Sequence, residues 1–494
     1  MQQILTISVL VTGAILAALA ASVSFAAAIH LTSRRTHGFF HLIFYAMVLM
    51  IAIATLLSAR DLSGSGVGLE ETGSVARHPL LVWTQPLVSL LLLTVAGERI
   101  VSYWFRREKT ASASPLLLLS FIFFWLCTVA APAFLGGHPF VSHDYAYTLV
   151  IGFAAVLATS AERDLAFRAT RNALLLFMTI SLLLIPIKPD LVLDLSYSQG
   201  LLPGVPRLAG LAAHAVSLGI LAQLGLLCLL AYPYRKVGLN WLAWIVGLSV
   251  IFLAQSKTSW IAFFLCSMCI VAVRHSPTFW SRVGNPVRRE LGIVSILIFM
   301  AVVLFTALIV MFGDLDTKVS SFFNSAQGAQ LASLTGRDKI WAIAYEEWQR
   351  SPVFGYGPTI WDADFRRIIG MANATNAHNQ FMDTLSRSGA VGAVALVVYS
   401  LVLLVLSVRY APASRGLTLA LFMALALRSI SEVPFSLFGY GSELITHVLL
   451  LMSLGAIAND VRIAKAQTAP LPSRAVPSNL RPARKPLSTA RIGP

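Results

Sequence analysis

The chain has 494 residues, of which 57% are hydrophobic and only 12% charged, with a formal net charge of +15 and a mean hydropathy of +0.76. A soluble domain is about a quarter charged, so the composition excludes an ordinary soluble enzyme. The apolar residues gather in runs close to the ~20 that a helix needs to cross a bilayer.

Thirteen apolar segments are expected, at about 4–29, 39–58, 80–96, 115–135, 145–160, 172–187, 211–232, 239–255, 258–273, 291–312, 389–408, 416–431 and 441–457. Those at 145–160, 172–187, 239–255, 258–273 and 416–431 are short for a full span. The first has no Lys or Arg before its apolar stretch, so it reads as a retained helix rather than a cleaved signal. Cys127, Cys228, Cys266 and Cys269 all lie inside apolar runs. The Cys266–Cys269 spacing has no second ligand pair and no polar setting, so packing is the better reading and no metal is expected.

The charges divide by connection. Arg34 and Arg35, then Arg99 to Lys109, Arg163 to Arg171, Arg235 and Lys236, Arg274 to Arg289, Arg409 and Arg415, and the tail hold 24 of the 37 basic residues but six of the 22 acids. That side carries +18 and the other −3. The positive-inside rule places the basic side in the cytoplasm, so the charge is a topology signal and no nucleic-acid partner is expected. The N-terminus is then outside and the C-terminus inside. Residues 459–494 form a basic, Pro-rich tail, expected to be disordered and drawn to anionic lipid heads.

The unusual features fall on the outer side. The longest connection, 313–388, contains "TGRDKIWAIAYEEWQRSP". Ile340, Ala344 and Trp348 recur at helical spacing with Trp341 and Tyr345 alongside, and Glu346, Glu347 and Arg350 take the other side, which predicts an amphipathic helix lying at the outer membrane face. Gly336 precedes it and Arg337 sits in its first turn, where free backbone N–H groups and a planar guanidinium suit an anion; a solvated Arg337 paired with Asp338 is the plainer alternative. Next comes "SPVFGYGP", in which Gly355 and Gly357, flanking Tyr356, permit tight turns or close backbone approach. His378 and Asn379 follow, just before the next span. An imidazole takes a proton near neutral pH, as a general base must; alone, it also reads as an ordinary hydrogen-bonding side chain.

Two further outer connections carry cations. Arg207 and His214 enter an apolar helix, where a charge at membrane depth costs roughly 2.5–3.5 kcal/mol and calls for a partner or a task. Lys257, in "AQSKTSW", stands between two apolar segments, where snorkelling is the simple reading. Arg428 and Glu432, four apart, read as an internal ion pair. Arg207, Lys257, Arg337 and His378 together fit a diphosphate ligand better than a neutral solute.

"GRDKIWAIAYEEWQRSPVFGYGP" followed by "AHNQFMDTLSRSGAVGA" resembles the O-antigen ligase/polymerase superfamily, which includes exopolysaccharide polymerases. Gly336-Arg337, Trp341, the Pro352/Gly355/Gly357 turn, His378-Asn379 and Gly389/Gly392 stand where that pattern expects them. "SKT" at 256–258 and "RLAGLAAHAVSLG" at 207–219 resemble two more of its stretches, although Val216 stands near the place where an Asn often follows. The resemblance implies an all-α polytopic bundle, of about 12–13 spans here. Residues 1–205 would be N-terminal helices and 206–458 the catalytic membrane region.

The implied activity is that of an inverting, metal-independent and cofactor-free glycosyltransferase in the bacterial inner membrane, facing the periplasm. Its donor would be a glycan on undecaprenyl diphosphate, and its acceptor a second glycan or lipid A-core. Arg207 and Arg337 would hold the diphosphate with Lys257, and His378 would be the base. Asn379, Gly336, Tyr356 and His214 would line the substrate. The HN segment reads closer to the polymerase or exopolysaccharide branch. A transporter or flippase of the same lipid-linked sugar is the competing reading; it predicts ionisable groups strung through the midplane, whereas here they cluster at one face.

Overall fold

The structure is a computed structural model. It describes residues 38–58, 60, 62, 79–105, 114–195, 205–283, 337–371 and 374–468, with isolated positions between 18 and 30. The expected first and tenth spans fall wholly or largely outside the described residues, as do Gly336, the first part of the long outer connection and the tail beyond Thr468.

Eleven of the thirteen expected apolar segments appear as helices. They are α1 (Leu42–Leu56), α2 (Pro79–Phe105), α3 (Pro115–Leu135), α4 (Tyr145–Val156) and α5 (Ser160–Leu183), then α6 to α11 in chain order: Ala215–Ala231, Val237–Leu253, Lys257–Val283, Gln380–Tyr410, Leu417–Arg428 and Ser442–Thr468. Among the described residues, six of these are long and apolar enough to cross a membrane. The fold is an all-α polytopic bundle. Its one sheet among the described residues is a pair of two-residue strands, β1 (Leu193–Asp194) and β2 (Arg207–Leu208), antiparallel with Asp194 opposite Arg207. An amphipathic helix, Arg337–Arg350 (here αL), lies between α8 and α9 in the chain.

Two boundaries differ from the sequence reading. The sixth segment is not short: α5 begins at Ser160, so Arg163, Arg168 and Arg171 lie inside a helix rather than in a loop. A capping box starts it, with the Thr159 hydroxyl accepting from the Glu162 amide and the Glu162 carboxylate accepting from the Thr159 amide, which satisfies two of the amide donors orphaned at a helix start. Polar partners explain how the helix keeps its arginines: Arg171 stacks 3.7 Å from the Tyr234 ring centre, and Arg163 pairs with Asp164. At the other terminus, α11 runs on to Thr468, past Asn459 where the tail was expected to begin.

The core is continuous through the bundle. Phe124 stacks on Tyr399 with ring centres 4.6 Å apart, and the fully buried Tyr399 hydroxyl meets His447 Nε2 at 2.6 Å. Cys266 is buried, a free thiol donating to the Ala420 carbonyl, as packing requires. The described connections that carry candidate site residues are bonded to one another in pairs. The link 57–62 bonds to 190–195 through Leu62 and Asp190. Residues 137–138 bond to 355–356 and Gln380 to Ser429, while Gln255 reaches Val205.

Candidate active site

His378 immediately precedes α9. Its backbone is left-handed, φ +47°, a conformation uncommon for a residue with a Cβ. Three neighbours hold it. The Asn376 side chain accepts from the His378 amide at 2.7 Å. Asn379 caps α9, its oxygen accepting from the Met382 amide and its Nδ2 donating to the Ile430 carbonyl. The Asp383 carboxylate accepts from the Ala377 amide. The imidazole is three-quarters buried, with Nδ1 3.6 Å from Glu432 Oε2. At that distance the carboxylate faces the ring without a hydrogen bond, and the buried Nδ1 has no hydrogen-bond partner among the described residues.

The ion pair expected between Arg428 and Glu432 is corrected. The Arg428 guanidinium turns inward to Glu443 at 2.9 Å, to Gln223 Oε1 at 2.7 Å and to the Ile220 carbonyl. Burial of the α10 terminus against α6 and α11 sets this direction, and it frees Glu432 for His378. The same links bring the start of α6, the end of α10 and the start of α11 together, and Gln380 ties the HN turn to Ser429 at that end of α10.

αL is seated on protein. The sequence reading laid its apolar face on the membrane, but Ile340 and Ala344 pack with Ile360, Trp361, Phe365, Ala374 and Ala377. The Trp341 indole donates to the Ala377 carbonyl at 2.8 Å, one residue before His378. Glu347 is not on the solvent side either: it is buried and paired with Arg350, while Tyr345 is exposed. Arg337 opens αL, half-buried, and has no ion pair among the described residues.

The glycine turn is a structural insert. Helix α9 breaks at Gly389, φ +63° and ψ −161°, and a broken helix leaves amides and carbonyls that lipid cannot satisfy. Residues 352–357 supply the partners. The amides of Ala390 and Val391 donate to the carbonyls of Pro352 and Val353, and the amides of Tyr356 and Gly357 donate to those of Ser386 and Arg387. A Cβ on Gly355 would come within 2.5 Å of the Arg387 backbone, and one on Gly389 would meet the Val353 backbone. Beneath the turn, buried Arg387 is held by Asp383 at 3.2 Å and by the Pro358 carbonyl at 2.7 Å. Tyr356 stacks on His138 at 4.1 Å. Burial, then Glu347 and Asp362, raise its pKa, so the phenol keeps its proton at neutral pH.

The second cluster lies around β1 and β2. Arg207 Nε donates to the Ala254 carbonyl at 2.9 Å, three residues before the exposed Lys257 that opens α8. His214 is the exposed residue at the start of α6. Sequence reasoning missed Arg60. Its guanidinium donates to the carbonyls of Leu191, Gly210, Ala212 and Ala213, clamping the segment that carries Arg207 and His214. Burial lowers its pKa to about 10, still a cation at neutral pH. Its signal was a lone Arg ending an apolar run.

So Arg207 is bonded to the turn that precedes Lys257, and αL, which Arg337 opens, is bonded to Ala377 beside His378. Among the described residues, no group of three or more His, Cys, Asp or Glu converges as metal ligands would. A search of curated proteins finds no match to the chain. The family model described as O-antigen ligase matches residues 242–397, a stretch that includes Lys257, αL, the glycine insert and the HN turn. The match supports the resemblance to the O-antigen ligase/polymerase superfamily over these residues.

Proposed function

We propose that the protein is an inverting glycosyltransferase of the bacterial inner membrane. It moves a glycan from undecaprenyl diphosphate to an acceptor hydroxyl on the periplasmic side, as a surface polysaccharide polymerase or an O-antigen ligase. The observation that carries this reading is His378, inside the matched O-antigen ligase domain, with Nδ1 3.6 Å from Glu432, which lies 54 residues further along the chain and beyond the matched residues. In the proposed reaction His378 Nε2 removes the acceptor proton and the acceptor oxygen attacks the anomeric carbon. The bond from that carbon to the diphosphate oxygen breaks on the opposite face, and the diphosphate departs with the electron pair. Arg337 and Arg207 with Lys257 stabilise that leaving group. Asn379 acts through the loop, since its amide and oxygen already hold Ile430 and Met382. The +18 against −3 division of charge favours the outer side for this end.

Deleting the gene and analysing the lipid-linked and surface glycans tests the reading. Accumulated lipid-linked single repeats mark a polymerase. Complete chains left on the lipid carrier and missing from the surface mark a ligase. An unchanged glycan profile contradicts both.

A further inference from the structure

We infer that Gln380 is a positioning residue: it clasps the link between α10 and α11 to the HN turn and so holds the Glu432 carboxylate against His378. Its role rests on the glycosyltransferase reading proposed above. Gln380 lies inside the residues matched by the O-antigen ligase model, and the link it holds lies beyond them.

Gln380 opens α9 and is only 4% exposed. Its backbone N–H donates to the Ser429 carbonyl at 2.9 Å. Its side-chain Oε1 accepts from the Phe435 amide at 2.8 Å, and its Nε2 donates to the Thr384 hydroxyl at 3.0 Å. A backbone N–H can only donate, so the Phe435 bond fixes which way the Gln380 amide faces. One residue earlier, Asn379 Nδ2 donates to the Ile430 carbonyl at 3.3 Å. Residues 379 and 380 thus hold the link at 429, 430 and 435, on either side of Glu432.

The two ends of this stretch are also anchored in the bundle. At one end the Arg428 carbonyl accepts from the amides of Ser431 and Glu432, at 2.9 and 2.7 Å, and the Arg428 side chain is pinned to Glu443 and Gln223. At the other end Phe435 is buried, with its ring edge-on to Tyr399 and His447 at 6.2 and 5.3 Å. These anchors fix the ends of the stretch; the bonds from 379 and 380 fix its distance from the HN turn. The 3.6 Å from Glu432 to His378 Nδ1 exceeds a hydrogen bond by roughly 0.5 Å. Catalytic hydrogen bonds are often long before substrate binds and tighten in the complex. A carboxylate at that range is held by something other than the bond it will make, and the Gln380 clasp supplies that hold.

The test uses the full-length protein in phosphatidylcholine nanodiscs. Gln380→Met removes both side-chain bonds, Gln380→Glu keeps an oxygen for the Phe435 amide, and Thr384→Val removes only the bond within α9. Hydrogen exchange of peptides covering 429–436 reads the link. Kinetics with an undecaprenyl diphosphate-linked glycan and its acceptor read transfer. Gln380→Met is expected to speed exchange in the link and to lower kcat about tenfold with KM unchanged, while Thr384→Val moves neither. Gln380→Glu is expected to keep the link protected. In a Glu432→Gln background, Gln380→Met is expected to lower kcat no further, because the carboxylate it places is already gone. Wild-type exchange in the Gln380→Met link, equal opening in Gln380→Met and Gln380→Glu, or losses of kcat that multiply in the double variant each overturn the inference. A link that opens in Gln380→Met alone, in a protein whose wild type transfers no glycan, supports the clasp and contradicts the glycosyltransferase reading.

Discussion

Replacing Glu432 with Gln keeps its size and removes the charge beside His378 Nδ1. Turnover is expected to fall at least about tenfold, the scale on which loss of an orienting carboxylate acts, with donor affinity unchanged. A proportional loss of affinity in Glu432→Gln contradicts the orienting role. Arg337→Ala is expected to abolish most transfer and Arg337→Lys to restore it only in part, since an ammonium offers a point charge in place of a fork; steady-state kinetics on membrane-inserted protein compares them, and full activity of Arg337→Ala removes the diphosphate contact. The sequence named His378 and Arg337 because residue type and neighbouring motif mark chemistry locally. It mispaired Glu432 because the i, i+4 spacing from Arg428 looked sufficient, while the choice between partners depends on how α6 and α11 close over Arg428. That is a tertiary fact with no local trace.

At the scale of elements, the insertion of 352–357 into broken α9 is what holds the HN turn in register with αL. Gly355 has φ +72° and no room for a Cβ. Gly355→Ala is therefore expected to destabilise the protein by on the order of 3 kcal/mol, read as a lower midpoint in detergent thermal unfolding, with Gly370→Ala, which has open space around it, losing less. An unchanged midpoint for Gly355→Ala contradicts the insert. Asp383→Ala leaves buried Arg387 without its carboxylate, an effect of roughly 3–5 kcal/mol, and releases the Ala377 amide beside the HN turn; a midpoint equal to wild type argues against that pair. The glycines were legible as a close approach, but not as the repair of a helix break. Periodicity reads α9 as apolar from 389 onward and cannot show that the preceding polar residues continue the same helix.

At the scale of the molecule, hydropathy located the eleven described apolar helices, six of which are long and apolar enough to cross a membrane. Helices that carry charge in a polar network, such as α5, escaped it: their arginines read as loop. Charge asymmetry predicts an orientation, which helix packing does not. Reporter fusions at 168, 284 and 470 are expected to report cytoplasm, and those at 195, 325 and 372 the outer compartment; a cytoplasmic signal at 325 or 372 puts the candidate site on the wrong face for a flipped donor.

The most direct test of the whole account uses purified protein in liposomes with an undecaprenyl diphosphate-linked glycan and its acceptor. Free undecaprenyl diphosphate and elongated or ligated glycan are measured together, for wild type and His378→Gln. The account predicts equal release of carrier and formation of linked product by wild type, and a rate lower by ~10²–10⁴-fold for His378→Gln with donor binding intact. Movement of the intact lipid-linked glycan across the bilayer without release of carrier, or a His378→Gln variant that turns over at the wild-type rate, contradicts it.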